Sequence, residues 1–299
     1  MFLNALVLVL TAGLAAAIQP ATPKAAEPTA PAPAAVPAAT PAPAPASVAS
    51  IKTASDLLDA LESADRDLTT LIADVRYDKI DGLTEDRQIR RGKLYFEAAS
   101  GERTSRRFAV RFLSLQLGDR LDDEEQLFVF DGQWLLEVTP KHKQIIKRQV
   151  AEQGSTFDPL KIGEGPLPLP IGQKKADILK RFTVELLPDA EGLEGLNDEE
   201  TASLKTFAKG SYQLRLVPEK GTPESEKFTE VRLWYREGDA AEGQRRLLPR
   251  MARTVAPKSG NVTIVRLNKV ETNTKIDPVN FATQEPGKDW DVVIEAMDK

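Results

Sequence analysis

The chain has no cysteine among its 299 residues. That removes a disulfide framework, a thiolate metal site and a cysteine nucleophile together. It also removes the cysteine on which a bacterial lipoprotein would carry its lipid. Histidine is nearly absent too: His142 stands alone between Lys141 and Lys143. Neighbouring positive charge disfavours a cationic imidazole, and no second histidine can share a metal, so His142 reads as a solvated turn residue. There is no excess of basic charge. With 40 Lys and Arg against 45 Asp and Glu, the net charge is −5, which is no footprint for nucleic acid. Glycine-rich phosphate loops are missing as well, since Gly163-Glu-Gly165 runs into prolines and not into a helix N-terminus. Clustered carboxylates such as Asp122-Asp123-Glu124-Glu125 read as solvated charge rather than as a glycosidase pair. Neither a catalytic constellation nor a cofactor site emerges, so a non-enzymatic protein is expected.

Long apolar runs are scarce. Ala5 to Ile18 is apolar but short of the about 20 residues a membrane span needs. It suits the core of an export signal over residues 1–18, with Ala15-Ala16-Ala17 as small-residue cleavage pattern, although Met1 to Asn4 carries no Lys or Arg. Cleavage would leave the protein in the periplasm; an uncleaved anchor is the alternative. Residues 19–50 are almost entirely Ala, Pro, Thr and Ser, a composition that buries too little to fold and favours an extended linker. The folded domain is expected over 51–299.

Hydrophobic residues make up 41% and charged residues 28% of the chain, as in ordinary globular domains. Thr53 with Asp56 forms a capping-box-like start, and Leu57, Leu61, Ala64, Leu68 and Leu71 follow at helical spacing. From Ala73 the period changes to two. Strands are predicted around Phe96, Phe108–Phe112, Leu127–Phe130, Trp134–Val138, Ile145–Val150, Phe182–Leu186, Tyr212–Val217, Val231–Tyr235, Arg246–Thr254, Val262–Leu267 and Val292. Leu127–Phe130 is apolar on both faces and therefore central. Asp131-Gly132 is read as the primed-turn pair of a hairpin. The apolar, proline-punctuated segment Gly163–Gly172 can be neither helix interior nor central strand. Lys174–Arg181 reads as a short helix with Ala176 and Leu179 apolar. Asp189–Glu200 reads as an exposed acidic insertion, with one or two helical turns over Thr201–Lys209. The fold class is mainly β with a few helices (α+β), built on a large antiparallel sheet.

Aromatic residues concentrate in these strands. Phe96, Phe108, Phe112, Phe128, Phe130, Trp134, Phe228 and Trp234, with Leu94, Val110 and Leu233, fit a packed core and a ligand cavity equally well.

The order of motifs resembles the outer-membrane lipoprotein carrier and receptor family (LolA/LolB-like). The likeness is carried by the opening helix, Gly92-Lys-Leu94-Tyr-Phe96, the Phe108–Phe112 strand, the Asp131-Gly132 hairpin, and the closing Asn273, Phe281, Pro286-Gly287 and Asp291-Val-Val-Ile294. It implies a curved antiparallel sheet forming an unclosed half-barrel, with helices plugging its concave face. It further implies a monomeric periplasmic carrier without cofactor, whose partners are acylated lipoproteins or lipids, an inner-membrane donor and an outer-membrane acceptor. Cavity-lining residues would then be Leu94, Phe96, Phe108, Val110, Phe112, Phe128, Phe130, Trp134, Leu233 and Trp234. The 163–172 loop, with Leu167, Leu169 and Ile171, would act with the helices at 55–70 and 174–181 as a lid. Family members latch that lid with an arginine from a Lys-Arg-Pro stretch. This chain has Glu97–Arg103 there instead, and Arg103, Arg106 and Arg107 are the candidates for the latch. The alternative reading is a regulatory or interaction module of the same fold, sensing envelope lipid or protein.

Overall fold

A computed structural model describes residues 50–101, 105–152, 161–163, 165, 167–168, 171, 173–239, 246–283 and 287–297. The expected export signal, most of the linker, Arg103, Leu169 and Pro286 lie outside the described residues.

Helix α1, Ala54–Ala64, opens the fold. Its capping box forms as read from the sequence: Asp56 N–H donates to Thr53 Oγ1 at 3.1 Å, and Thr53 N–H donates to Asp56 Oδ2 at 2.9 Å. The helix is shorter than predicted. A single 3-10 turn, Asp65–Asp67, ends it, and Leu71 already belongs to strand β1, Thr70–Ile80. The apolar residues at 68 and 71 keep helical spacing by coincidence, because Leu71, Ala73, Val75 and Tyr77 then line one strand face.

Strands β2 (Arg87–Glu97), β3 (Arg107–Leu117), β4 (Arg120–Phe130), β5 (Trp134–Thr139) and β6 (Gln144–Gln149) follow as an antiparallel meander. The chain then crosses the sheet through residues 150–181, which include α2, Lys175–Leu179. It resumes with β7 (Phe182–Leu187), α3 (Asp198–Ala208), β8 (Tyr212–Pro218), α4 (Pro223–Lys227), β9 (Glu230–Gly238), β10 (Arg246–Val255) and β11 (Val262–Thr272). Strand β11 pairs with β1, so the two halves join into one sheet. Asn273 secures the join. At φ 58°, its amide oxygen accepts from Thr69 N–H at 2.9 Å, and its amide N–H donates to Asp67 O at 2.9 Å.

The last strand, β12 (Asp291–Glu295), lies beside β6 and runs parallel to it, an exception to the antiparallel pattern read from the sequence. The order is β12-β6-β5-β4-β3-β2-β1-β11-β10-β9-β8-β7, twelve strands in one unclosed sheet. This is the open half-barrel architecture, mostly β with four α-helices among the described residues.

The Asp131-Gly132 hairpin forms one residue out of the predicted phase. Asp131 N–H donates to Trp134 O at 3.2 Å, and the positive φ, 111°, is at Gly132 alone. The Asp131 carboxylate accepts from the N–H groups of Gln133 and Trp134 at 3.0 and 2.9 Å, so the aspartate closes the turn as an acceptor.

Both faces of the sheet are covered. The inner face carries the large core, packed by α1, α2 and residues of the 150–181 crossing. The outer face carries two smaller clusters. One lies between the sheet and α3 and centres on Trp234, Leu204 and Ala208. The other sits under the segment after β11 and centres on Leu127, Val129, Ile276 and Phe281. Strand β4 is therefore apolar on both sides, as its run of four apolar residues predicts. The acidic 189–200 stretch is exposed over most of its length, as expected, but it is anchored at one residue and joined to a helix. Leu193 is 1% exposed in the Trp234 cluster, and Asn197 caps α3 by accepting from Glu200 N–H.

Candidate functional site

The inner face brings together Leu94 and Phe96 on β2, Phe108, Val110 and Phe112 on β3, Phe128 and Phe130 on β4, and Leu233 on β9. Their even spacing along each strand puts them on one side of the pleat. The rings interlock: Phe108 and Phe130 lie 6.4 Å apart, Phe112 and Phe128 meet edge to face at 6.3 Å, and Tyr77 approaches Phe112 at 5.9 Å.

The two tryptophans expected with them are elsewhere. Trp134 alternates with the inner-facing Leu135 and so points outward, where Lys147 Nζ lies 4.5 Å from its ring. Trp234 alternates with Leu233 and is buried under α3, its indole N–H donating to Asp189 O at 2.7 Å. Neighbouring residues of a strand face opposite sides, so Leu233 and Trp234 cannot share a lining. Val231, Leu233 and Tyr235 share the inner face of β9, whereas Trp234 shares the other face with Glu230, Arg232 and Arg236.

The inner face is plugged by the chain itself. Leu57, Leu58 and Leu61 of α1, Ile178 of α2, and Ile162, Leu167 and Ile171 of the crossing pack into the aromatic cluster, and Leu167 and Ile171 are 1% and 2% exposed. On α2 the buried residue is Ile178, whereas Leu179, read as apolar-facing, is 44% exposed. Leu169 of the expected lid lies outside the described residues.

Polar bonds tie this plug down at its rim. Arg106 Nη1 donates to Ile171 O at 2.9 Å. Lys175 binds α1 three ways: its N–H donates to Glu62 Oε2 at 3.1 Å, and its Nζ donates to Ser55 Oγ at 2.6 Å and Asp59 Oδ2 at 2.7 Å. At the other end, Lys227 Nζ donates to Gly163 O at 2.6 Å, and Arg181 Nη1 is shared between Glu224 Oε1 at 2.7 Å and Ile162 O at 3.5 Å. A cavity of about 220 Å³ lies between Gly163, Arg181, Glu224 and Lys227. Burial alone would raise the Glu224 carboxyl. The bond and charge of Arg181, with a backbone bond and Lys161, outweigh burial and hold it below the ordinary glutamate value.

Arg181, Glu224 and Lys227 carry no mark in the sequence, since their partners are local neither to one another nor to the lid. Of the latch candidates, Arg106 reaches the lid. Arg107 instead pairs with Glu97 at 2.6 Å and lies over the Phe281 ring on the outer face.

Chemically, the arrangement is an apolar face covered by helical and loop segments of the same chain. Among the described residues no group of three or more His, Asp or Glu is placed to hold a metal ion, and no helix is long and apolar enough to cross a membrane.

No family model matches the chain, and no curated protein matches it. Solved structures do. The chain is similar to an uncharacterized conserved protein from Thermus thermophilus, with 15% identity and a TM-score of 0.39 over 81% of this chain and 99% of that one. It is similar to a LolA superfamily protein from Nitrosomonas europaea, with 13% identity and a TM-score of 0.35 over 78% of this chain and 99% of that one. It is also similar to LprF from Mycobacterium bovis, with 9% identity and a TM-score of 0.35 over 76% and 96%. These are likenesses of fold. A LolA superfamily protein is thus among the solved structures that the chain is similar to.

Proposed function

We propose that this protein is a periplasmic carrier that shelters the acyl chains of lipoproteins, or of related lipid cargo, against the inner face of its sheet and passes them towards the outer membrane. Residues 51–299 would be the carrier domain, exported by the signal at 1–18 and spaced by 19–50. It acts without a cofactor and without catalysis. One observation carries the reading: among the described residues, the segments that cover the aromatic inner face are held at their rim by bonds to side chains and to backbone carbonyls and not by strand pairing. Such a plug can leave without breaking a strand ladder.

The energetics suit the task. Transfer of an acyl chain out of water is worth about 0.8 kcal/mol per methylene, so a long chain carries on the order of 12 kcal/mol of gross penalty in water. Leu94, Phe96, Phe108, Val110, Phe112, Phe128, Phe130 and Leu233 would replace water along the chain. Leu167 and Ile171 would move aside with α1 and α2 to admit it. Lid closure in the empty protein keeps the same surface dry, so loading exchanges one apolar cover for another.

Gentle purification followed by native mass spectrometry tests this. A stoichiometric acyl species bound to the domain is the expected result. Absence of any acyl ligand, with no displacement of a fluorescent fatty acid, would instead favour an interaction module of the same fold.

A further inference from the structure

The outer face carries a site of a different kind. A cavity of about 500 Å³ opens on β1, β2, β3 and β11, lined among others by Asp74, Arg76, Arg91, Lys93, Leu113 and Ser114. That volume is within the range of small-ligand pockets. It forms where the β2–β3 register shifts at Arg91/Gly92 and the β3–β4 register shifts at Phe112/Ser114. Gly92 is required there, because a Cβ would stand 1.9 Å from Arg111 O.

Positive charge at this cavity exceeds the carboxylates that face it. Arg76, Arg87 and Arg266 all share Asp78, and Arg87 also pairs with Glu200. Lys93 and Lys269 both share Asp74, at 2.9 and 3.2 Å. Arg91 ion-pairs with no carboxylate among the described residues, and its Nη2 donates to the neutral Gln116 Oε1 at 2.9 Å. Burial first, then the like charges of Arg76 and Arg87, hold the Arg91 guanidinium below its ordinary value. A basic patch is usually a solvated face. Here three cations, Arg76, Arg91 and Lys93, line one concavity beside a single carboxylate, Asp74, on a chain whose net charge is −5, and Arg91 is half-buried with no ion-pair partner among the described residues.

We propose that this cavity binds the phosphate of a headgroup-sized organic phosphate, held by Arg91, Arg76 and Lys93 with the Ser114 hydroxyl, its carbon part lying against Leu113. Several converging donors match a phosphate, with its several acceptor oxygens, better than a single carboxylate. Leu113 is 55% exposed at the rim and supplies the apolar contact. The phosphate is either that of a free ester or that of a lipid headgroup at a bilayer surface. The site lies on the face opposite the plugged cluster and does not depend on the carrier reading.

The test is calorimetric titration of the full chain with glycerol 3-phosphate, and cosedimentation with phosphatidylglycerol and phosphatidylcholine vesicles. Saturable binding of glycerol 3-phosphate, weakened about tenfold or more by Arg91→Gln and by Lys93→Gln but unchanged by Lys180→Gln, is expected. The Lys93 side chain is 51% exposed, so Lys93→Gln reports on the site even where Arg91→Gln disturbs folding; Lys180, 76% exposed, is the control. Sedimentation with phosphatidylglycerol alone, lost in Lys93→Gln, supports the site with a lipid source. Glycerol 3-phosphate binding without sedimentation supports it with a soluble source. No saturable binding to either, binding indifferent to both substitutions, or binding of hexaglutamate in preference to glycerol 3-phosphate would overturn it.

Discussion

Arg106, beside the first residue of β3, donates from Nη1 to the carbonyl oxygen of Ile171 at 2.9 Å, bridging 65 positions of sequence between sheet and lid. A hydrogen bond from a charged donor contributes about 1.5–3 kcal/mol, part of which survives as resistance to lid opening. Arg106→Leu should therefore speed exchange of a bound fluorescent fatty acid by about tenfold, while lowering global stability in urea by no more than about 2 kcal/mol. Stopped-flow displacement and equilibrium unfolding, measured on the same samples, separate the two effects. Equal loss in both would make Arg106 a general structural residue and not a latch.

Glu224 and Arg181 give the lid base a dependence on acid. Their side chains are 8% and 14% exposed, so solvent screens the pair little. The carboxyl pKa is depressed in the folded protein. The contribution is thus whole above the unfolded glutamate value of about 4.3 and is lost as pH falls through the depressed value. Lid exchange should be flat across neutral pH and accelerate only below about pH 4. Glu224→Gln should abolish that acid step and cost on the order of 2 kcal/mol at pH 7. A fatty-acid displacement rate followed from pH 7 to pH 3 in both proteins checks it. An acid step that persists in the variant would assign it to other carboxyls.

Most of the sheet was legible because its signals are local. Alternation at Ala73, Val75 and Tyr77, the double-sided run at Leu127–Phe130, and the Thr53–Asp56 cap each depend on residues within one element. What stayed illegible depends on partners far away. What covers Trp234 is such a case: its face of β9 otherwise carries Glu230, Arg232 and Arg236, and its burial comes from α3 and Leu193. Leu193 lies in an acidic, glycine-containing stretch that composition marks as solvent-exposed, yet it fills a gap beside Trp234 under α3. The parallel pairing of β12 reflects the path of the preceding segment over the outer face, and no residue within Asp291–Glu295 encodes it.

Leu58 tests the plug from its own side. At 2% exposed, Leu58→Ala removes methylenes from the inner-face cluster and should cost about 2–5 kcal/mol. On a carrier the vacated volume lies where cargo goes, so adding a long-chain fatty acid should restore much of the lost thermal stability by mass action. The comparison is Leu204→Ala on α3. Leu204 is equally buried, at 0%, but on the outer face, and the same fatty acid should restore nothing there. Thermal unfolding of both variants with and without the ligand decides it, and equal rescue would show non-specific cavity filling.

Gly92 should be among the least replaceable residues of the sheet. It is neither in a turn nor at positive φ; its constraint is steric. A Cβ would meet Arg111 O at 1.9 Å and Phe112 Cα at 2.7 Å, both backbone atoms of the paired strand, which cannot swing away as a side-chain tip can. Gly92→Ala must therefore pull β2 from β3 at the register shift, where Val110, Phe112 and Leu94 meet on the inner face. A loss of about 3 kcal/mol or more is expected, overpacking at backbone being worse than the usual 1–3 kcal/mol for core side chains. Gly118→Ala is the control: nothing lies within 4 Å of its added Cβ, and only its positive φ of 56° opposes the change, for a cost of about 1–2 kcal/mol. Urea unfolding of the two variants should rank Gly92→Ala as the more damaging, and the reverse order would mean that the β2–β3 contact relaxes without disturbing the sheet.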